Sequence, residues 1–310
     1  MAVDLKGKDL LTLRDWSAEQ IWQVLKTAEH LKMLNKTGQS STPLAGKALA
    51  MIFTKPSTRT RVSFEVGMYQ LGGSALYLSA NDLQLGRGET VADTGQVLSR
   101  YVDGIMIRTY KQSDVEELAA GATVPVINGL TDDYHPCQVL ADLLTIYEKM
   151  GRIAGLKLAY VGDGNNMTHS LMIGGAKLGM SVVSASPSGF VPSTEMVDYA
   201  RVAAAETGAT IGVVESAEAA VRGADIVYTD VFVSMGQDKE SEKKLAALAP
   251  YRVTPALMAK ANPGAIFMHC LPAHRGEEVD AEVIDGPQSV VFDEAENRLH
   301  AQKALMALVM

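Results

Sequence analysis

From about residue 48 onward, short apolar runs alternate with stretches of helical periodicity, and this rhythm constrains the fold more than any single residue. Ala48–Phe53, Ser74–Ser79, Gly104–Thr109 and Val124–Asn128 read as strands in the first half. Lys157–Gly162, Ser181–Ser186, Ala209–Val214, Ile226–Asp230, Ala265–Cys270 and Ser289–Phe292 continue the series. Between them, Thr90–Tyr101, Asp114–Ala120, Thr194–Glu206 and Ala217–Gly223 carry helical spacing. Continuously apolar runs suit strands covered on both faces. Repeated strand–helix–strand units close into parallel sheets flanked by helices. The expected fold is α/β, with two lobes that are each a mostly parallel sheet. Pro136–Met150, with Leu140, Leu143, Leu144 and Tyr147 on one stripe, predicts a helix bridging the lobes and placing a cleft between them. Ligands of such sheets bind beyond the carboxyl ends of the strands.

A chain of 310 residues has room for two cores of ordinary size. Its net charge of −8 argues against nucleic acid or an anionic membrane as partner. The N-terminal residues lack an apolar signal core, and no stretch reaches membrane-spanning length. Cys137 and Cys270 are too few for a disulfide framework. A soluble cytoplasmic protein is expected.

Against this acidic background, Ser57-Thr58-Arg59-Thr60-Arg61 follows a strand and opens a helix. A capped helix start offers unsatisfied N–H groups, and here two guanidinium groups and several hydroxyls join them, which suits a small phosphate-like anion. Arg108 ends another strand and would point into the same crevice. His135-Pro136-Cys137-Gln138 opens the bridging helix, with proline in the first helical position. His135 and Gln138 side by side could hold a planar carbonyl and an NH2 group, or simply cap a helix. Cys137 reads as a packing residue.

Gly162-Asp163-Gly164-Asn165-Asn166 invites a dinucleotide-binding reading that fails. The third glycine position falls at Met167, and the next strand ends Ser184-Ala185-Ser186 without an acid. The segment reads instead as a tight turn presenting Asn166 on a following helix. Asp230-Val231-Phe232-Val233-Ser234-Met235-Gly236 could bind the ammonium and carboxylate of an amino acid, or be an ordinary strand-end turn. His269-Cys270-Leu271-Pro272 ends a strand; alternation sets His269 and Cys270 on opposite faces, and Cys270 is either a reactive thiol or a buried inert one. Glu294-Ala295-Glu296-Asn297-Arg298 precedes the last helix and by itself reads as a charged surface start. No cluster has metal-ligand spacing.

In this order the motifs resemble the aspartate/ornithine carbamoyltransferase superfamily, and its ornithine branch in particular, over nearly the whole chain. The resemblance implies a carbamoyl phosphate-binding domain over residues 1–135 plus 297–310, an ornithine-binding domain over 150–296 and a linking helix over 136–149. It implies that Ser57, Thr58, Arg59, Thr60 and Arg108 bind the phosphate, and that Thr60, Arg108 and His135 polarise the carbamoyl carbonyl. Gln138, with the backbone around Cys270 and Leu271, would hold the NH2 group, and Arg298 would join the carbamoyl phosphate side. Gln84 matches a loop reaching a neighbouring subunit, so a homotrimer or a multiple of trimers is expected. Asn166, Asp230, Ser234 and Met235 would hold ornithine, with Cys270 and Asp230 orienting and deprotonating its δ-amine. Neither metal nor organic cofactor is expected, because the carbamoyl donor arrives activated. Putrescine or aspartate as acceptor, a dinucleotide-dependent oxidoreductase and a non-catalytic sensor are the alternatives.

Overall fold

The computed structural model describes residues 3–80, 83, 88–233 and 241–310, and the chain divides into two compact units, residues 1–144 with 296–310 and residues 145–295. The first unit begins with α1 (Ala18–Lys36), fixed by a capping box in which Ser17 Oγ accepts from the Gln20 amide at 3.2 Å and Gln20 Oε1 from the Ser17 amide at 3.0 Å. A four-stranded parallel sheet follows, built from β1 (Ala48–Phe53), β2 (Ser74–Ser79), β3 (Gly104–Arg108) and β4 (Val126–Leu130) in the order β2-β1-β3-β4. Helices α2 (Thr58–Gln70), α3 (Val91–Leu98) and α4 (Gln112–Gly121) make the crossovers. Ala50, Ile52, Ile105, Ile107 and Val126 from the strands and Val115 and Leu118 from α4 form one buried cluster.

Helix α5 (Pro136–Met150) carries the chain into the second unit. Its sheet has five parallel strands, β5 (Lys157–Val161), β6 (Ser181–Ala185), β7 (Ile211–Val214), β8 (Ile226–Thr229) and β9 (Ile266–His269), in the order β7-β6-β5-β8-β9. Helices α6 (Asn166–Lys177), α7 (Thr194–Thr207) and α8 (Ala217–Val221) lie between the first of these strands. The elements α9 (Ser241–Leu248), α10 (Pro255–Met258) and α11 (Ala281–Ile284) follow, and α12 (Val291–Val309) returns the chain to the first unit. There Gly67 of α2 faces α12 so closely that a Cβ would come within 2.9 Å of Met306 Cε.

Both sheets reverse their direction of growth once, between β1 and β3 in the first unit and between β5 and β8 in the second. A crevice at the carboxyl end of such a pair is where an open α/β sheet binds ligands. Most expected strands lie within two residues of their observed bounds, but Ser289–Phe292 is not one. Ser289 makes only an isolated bridge to Phe267, and Val291 starts α12. β2 is also not covered on both faces as expected; it is an edge strand with Ser74, Leu76 and Tyr77 exposed.

Candidate active site

In the first unit, register brings the motifs together. Phe53 pairs with Arg108 across β1 and β3, and the Thr54 amide donates to the Arg108 carbonyl at 3.0 Å. Three residues past Thr54, Ser57 caps α2, its Oγ accepting from the Thr60 amide at 3.2 Å and donating to Thr60 Oγ1 at 3.1 Å. β4 ends beside Arg108, with Leu130 as its partner, and a turn closed by Thr131 and Tyr134 delivers His135 to the start of α5.

The positive charge there is dense. His135 is held well below the usual histidine range, first by burial and then by Arg298, Arg108, Arg59 and Lys55. It is therefore a neutral imidazole among four cations, able to donate one hydrogen bond without adding charge. Arg108 and Arg298 are buried, at 5% and 3% exposure. Lys55, absent from the sequence reading, is buried too; its Nζ lies 3.1 Å from Asp132 Oδ1 and 4.8 Å from the Tyr110 ring centroid. Its place two residues before Ser57 was the available signal. Arg61 does not join the cluster expected of it. Its Nε donates to Glu65 Oε1 at 3.0 Å, and its guanidinium lies 3.9 Å from the Tyr77 ring centroid.

Arg298 reaches the cluster from α12. It donates to Gln138 Oε1 at 2.5 Å, to Gln302 Oε1 at 2.9 and 3.1 Å, and to Thr60 Oγ1 at 3.4 Å. The expectation of a surface helix start over Glu294–Arg298 is thus corrected. The segment lies within α12, and Glu294 and Asn297 are both fully buried. Gln302 was missed, although it stands one helical turn from Arg298.

The second unit builds a cluster of another kind. Beyond β5 the chain turns through Gly162–Asn165, where a Cβ on Gly164 would lie 2.1 Å from the Pro192 nitrogen. Only glycine fits there. Asn165 caps α6: its Oδ1 accepts from the amides of Met167 at 3.0 Å and Thr168 at 3.3 Å and from the Tyr160 hydroxyl at 3.2 Å. Its Nδ2 donates to Asp230 Oδ2 at 2.8 Å, bridging the ends of β5 and β8. Asn166 is the first residue of α6 and half-buried.

Asp230 is 7% exposed, and its Oδ1 accepts from the Val231 amide at 2.8 Å and from the Cys270 thiol at 3.0 Å. The register explains the last contact, since Thr229 pairs with His269 and each chain then moves on one residue. His269 is fully buried; its Nε2 pairs with Glu278 Oε1 at 3.2 Å and its Nδ1 accepts from the Leu271 amide at 2.9 Å. That bond holds Leu271 at φ +57°, a conformation leucine rarely adopts. One donor atom each from Asp230, His269 and Cys270 lies within 4.8 Å of the other two, a cluster that spacing did not reveal because it joins two strand ends. The ring nitrogens of His269 are both engaged, so the geometry serves loop position rather than a ready metal site. His274, Glu277 and Glu278 form a second such group among the described residues. Gln84, Ser234 and Met235 lie outside the described residues.

Residues 8–148 match the model of the aspartate/ornithine carbamoyltransferase carbamoyl-P binding domain, and residues 154–309 match that of its Asp/Orn binding domain. The chain belongs to the aspartate/ornithine carbamoyltransferase family. It is 62% identical over 306 residues to the ornithine carbamoyltransferase of Symbiobacterium thermophilum, covering 99% of each chain. Its identity to the anabolic ornithine carbamoyltransferase of Pyrococcus furiosus is 58%, over all of this chain and 98% of the other. The solved structure of the ornithine carbamoyltransferase from that organism superposes with a TM-score of 0.97 over 100% of this chain and 99% of the other, at 58% identity. That from Gloeobacter violaceus gives 0.88 over 99% of this chain and 100% of the other, at 48% identity. Within the family, Ser57, Arg108, His135 and Gln138 fall in the first matched region and Asn165, Asp230 and Cys270 in the second, which also contains Arg298. No helix among the described residues is long and apolar enough to cross a membrane.

Proposed function

We propose that this chain transfers the carbamoyl group of carbamoyl phosphate to the δ-amine of L-ornithine, giving L-citrulline and phosphate in arginine metabolism. The observation that carries the reading is the division of chemistry between two switch points: an anion-binding cluster around Arg108 and His135, and the acidic Asn165–Asp230–Cys270 cluster. Ser57, Thr58, Arg59, Thr60 and Arg108 hold the phosphate. Thr60, Arg108 and His135 donate to the carbamoyl oxygen, on which negative charge grows as the amine attacks. Preorganised donors aimed at that oxygen supply the largest catalytic contribution. Gln138, with the backbone at Cys270 and Leu271, accepts from the carbamoyl NH2.

Asn166, Asp230, Ser234 and Met235 hold the amino-acid end of ornithine. The thiol already donates to Asp230, so Sγ is placed to accept a proton from the δ-amine while passing its own to the carboxylate. The new C–N bond forms as the bond from carbon to the phosphate oxygen breaks, and the departing phosphate keeps that electron pair among the guanidinium groups. Arg298 contributes to the same charge. Residues 1–135 plus 297–310 form the carbamoyl phosphate-binding domain, 150–296 the ornithine-binding domain and 136–149 the linking helix. The Gln84 loop serves a neighbouring subunit of a homotrimer or a multiple of trimers, in the cytoplasm.

The test is colorimetric detection of the ureido product with carbamoyl phosphate and ornithine, putrescine or aspartate supplied separately. Product from ornithine, with little from the others, is the expected result. Product only from putrescine or aspartate overturns the acceptor, and no product from any of them overturns the reaction.

A further inference from the structure

The carbamoyl phosphate side contains a buried carboxylate that the mechanism above does not use. Asp142 is fully buried on α5, one helical turn beyond Gln138, and Gln138 Nε2 donates to its Oδ1 at 2.7 Å. On the other side of the same amide, Arg298 donates to Gln138 Oε1 at 2.5 Å. An amide's nitrogen and oxygen are ordinarily hard to tell apart by position. Here the neighbours decide, because a carboxylate only accepts and a guanidinium only donates. Gln138 is 1% exposed, so no bulk solvent competes for either end.

We propose that Asp142 is a positioning residue that locks the Gln138 amide with its oxygen toward Arg298, making the NH2 of the donor the group by which carbamoyl phosphate is told from an acyl phosphate. The inference rests on the reading that Gln138 meets the carbamoyl NH2. An amide oxygen carries two lone pairs, so accepting from Arg298 is compatible with accepting from an N–H of the ligand. Acetyl phosphate has the same shape and charge but presents a methyl group there. A site built to accept from an N–H leaves a buried acceptor unsatisfied when the analogue lacks it, which is an effective basis for rejection. Reversing the amide would set its NH2 against that of the ligand and its oxygen against the carboxylate of Asp142. Arg298 opposes reversal too, but its guanidinium also serves the departing phosphate. Asp142 holds the nitrogen end of the amide, away from that guanidinium.

Gln302 treats Arg298 in a parallel way. Its Oε1 accepts from two guanidinium nitrogens, while its Nε2 donates to Ser63 Oγ at 2.6 Å. The donor site is thus framed by amides whose orientation is fixed from behind.

The test uses the full-length enzyme and three ligands: the KM for carbamoyl phosphate, and the inhibition constants of acetyl phosphate and inorganic phosphate against it. Asp142→Asn offers Gln138 a partner that can both donate and accept, so only Arg298 still opposes reversal of the amide. Its KM for carbamoyl phosphate should rise at least about tenfold, the scale of one hydrogen bond to a charged group. Both inhibition constants should stay within about twofold, since neither inhibitor uses the amide oxygen. A parallel weakening of all three ligands would show a merely structural role and overturn the proposal, as would no change in any. Should Asp142→Asn fail to fold, Gln138→Met is compared with Gln138→Met/Asp142→Leu, which removes the buried carboxylate that the single variant leaves facing an apolar partner. The two variants should share one ratio of carbamoyl to acetyl phosphate affinity, and a further fall in the double variant overturns the proposal. A wild-type enzyme that makes citrulline without preferring carbamoyl over acetyl phosphate refutes the Gln138 reading itself, whereas one that makes none refutes the assigned reaction.

Discussion

The two cysteines show how completely surroundings decide what a side chain can do. Cys137 is fully buried, donates to the Asn128 carbonyl at 3.3 Å, and burial pushes its thiol up to about 12. Cys270 is half-buried at the end of β9 and donates to Asp230. Brief treatment with iodoacetamide at pH 8 should therefore modify Cys270 and leave Cys137 intact, as peptide mass spectrometry would read directly. Cys270→Ala should lower turnover by about a hundredfold, the low end for a lost proton-transfer group, with the KM for carbamoyl phosphate within about twofold. Normal turnover at every pH would remove Cys270 from the mechanism. The packing role of Cys137 was legible in the sequence because a cysteine inside an apolar helix stripe has few other uses. The turning away of Arg61 was not. It depends on Glu65 one turn along and on Tyr77 from β2, and the motif alone specifies neither.

Among elements, the start of α6 carries the most consequence for the site. Asn165 caps the helix through Oδ1 and orients Asp230 through Nδ2, so one side chain joins a structural duty to a functional one. The two separate by substitution. Asn165→Ala should destabilise the fold by about 1 kcal/mol through the lost cap, whereas Asn165→Ser keeps a capping hydroxyl and should recover most of it. Both lose the reach to Asp230, so both should raise the KM for ornithine alike, by about tenfold. Thermal melts and ornithine saturation curves on the pair would show it. A KM that recovers with stability in the serine variant would make the effect one of folding alone. The element pattern itself was largely legible: β1 begins and ends where its continuous apolar run does, β2 has its expected bounds, and α5 spans Pro136–Met150 as its stripe predicts. Ser289–Phe292 misled because four apolar-rich residues fit a strand or a buried helix start equally well. The placement of Asp142 and Gln302 behind the site residues lay beyond sequence reading, since it follows from which helix faces meet.

At the scale of the molecule, two buried histidines set how the fold responds to acid. His135 is 6% exposed and lowered as described; His300 is 1% exposed and lowered to about 4, chiefly by burial, with Glu296 opposing the shift. Both are neutral when folded and take up a proton near pH 6.5 when unfolded. Above pH 6.5 neither state binds that proton, so their contribution to stability is fully present. Below it the unfolded chain gains protons first, and stability falls until the folded pKa is reached, about pH 4 for His300. Each site contributes a slope of up to about 1.4 kcal/mol per pH unit within that window. Asp163, in the other unit, acts in the opposite sense, since burial raises its carboxyl while Lys244 opposes the rise. The chain carries two tryptophans, Trp16 and Trp22, both in the unit that holds His135 and His300. Urea unfolding followed by tryptophan fluorescence therefore reports on that unit directly. Wild-type stability should fall between pH 6.5 and 5, and His300→Gln, which keeps a hydrogen-bonding partner for Glu296 but cannot be protonated, should flatten that fall by about one proton. An unchanged slope in His300→Gln would mean that the acid response of this unit arises elsewhere.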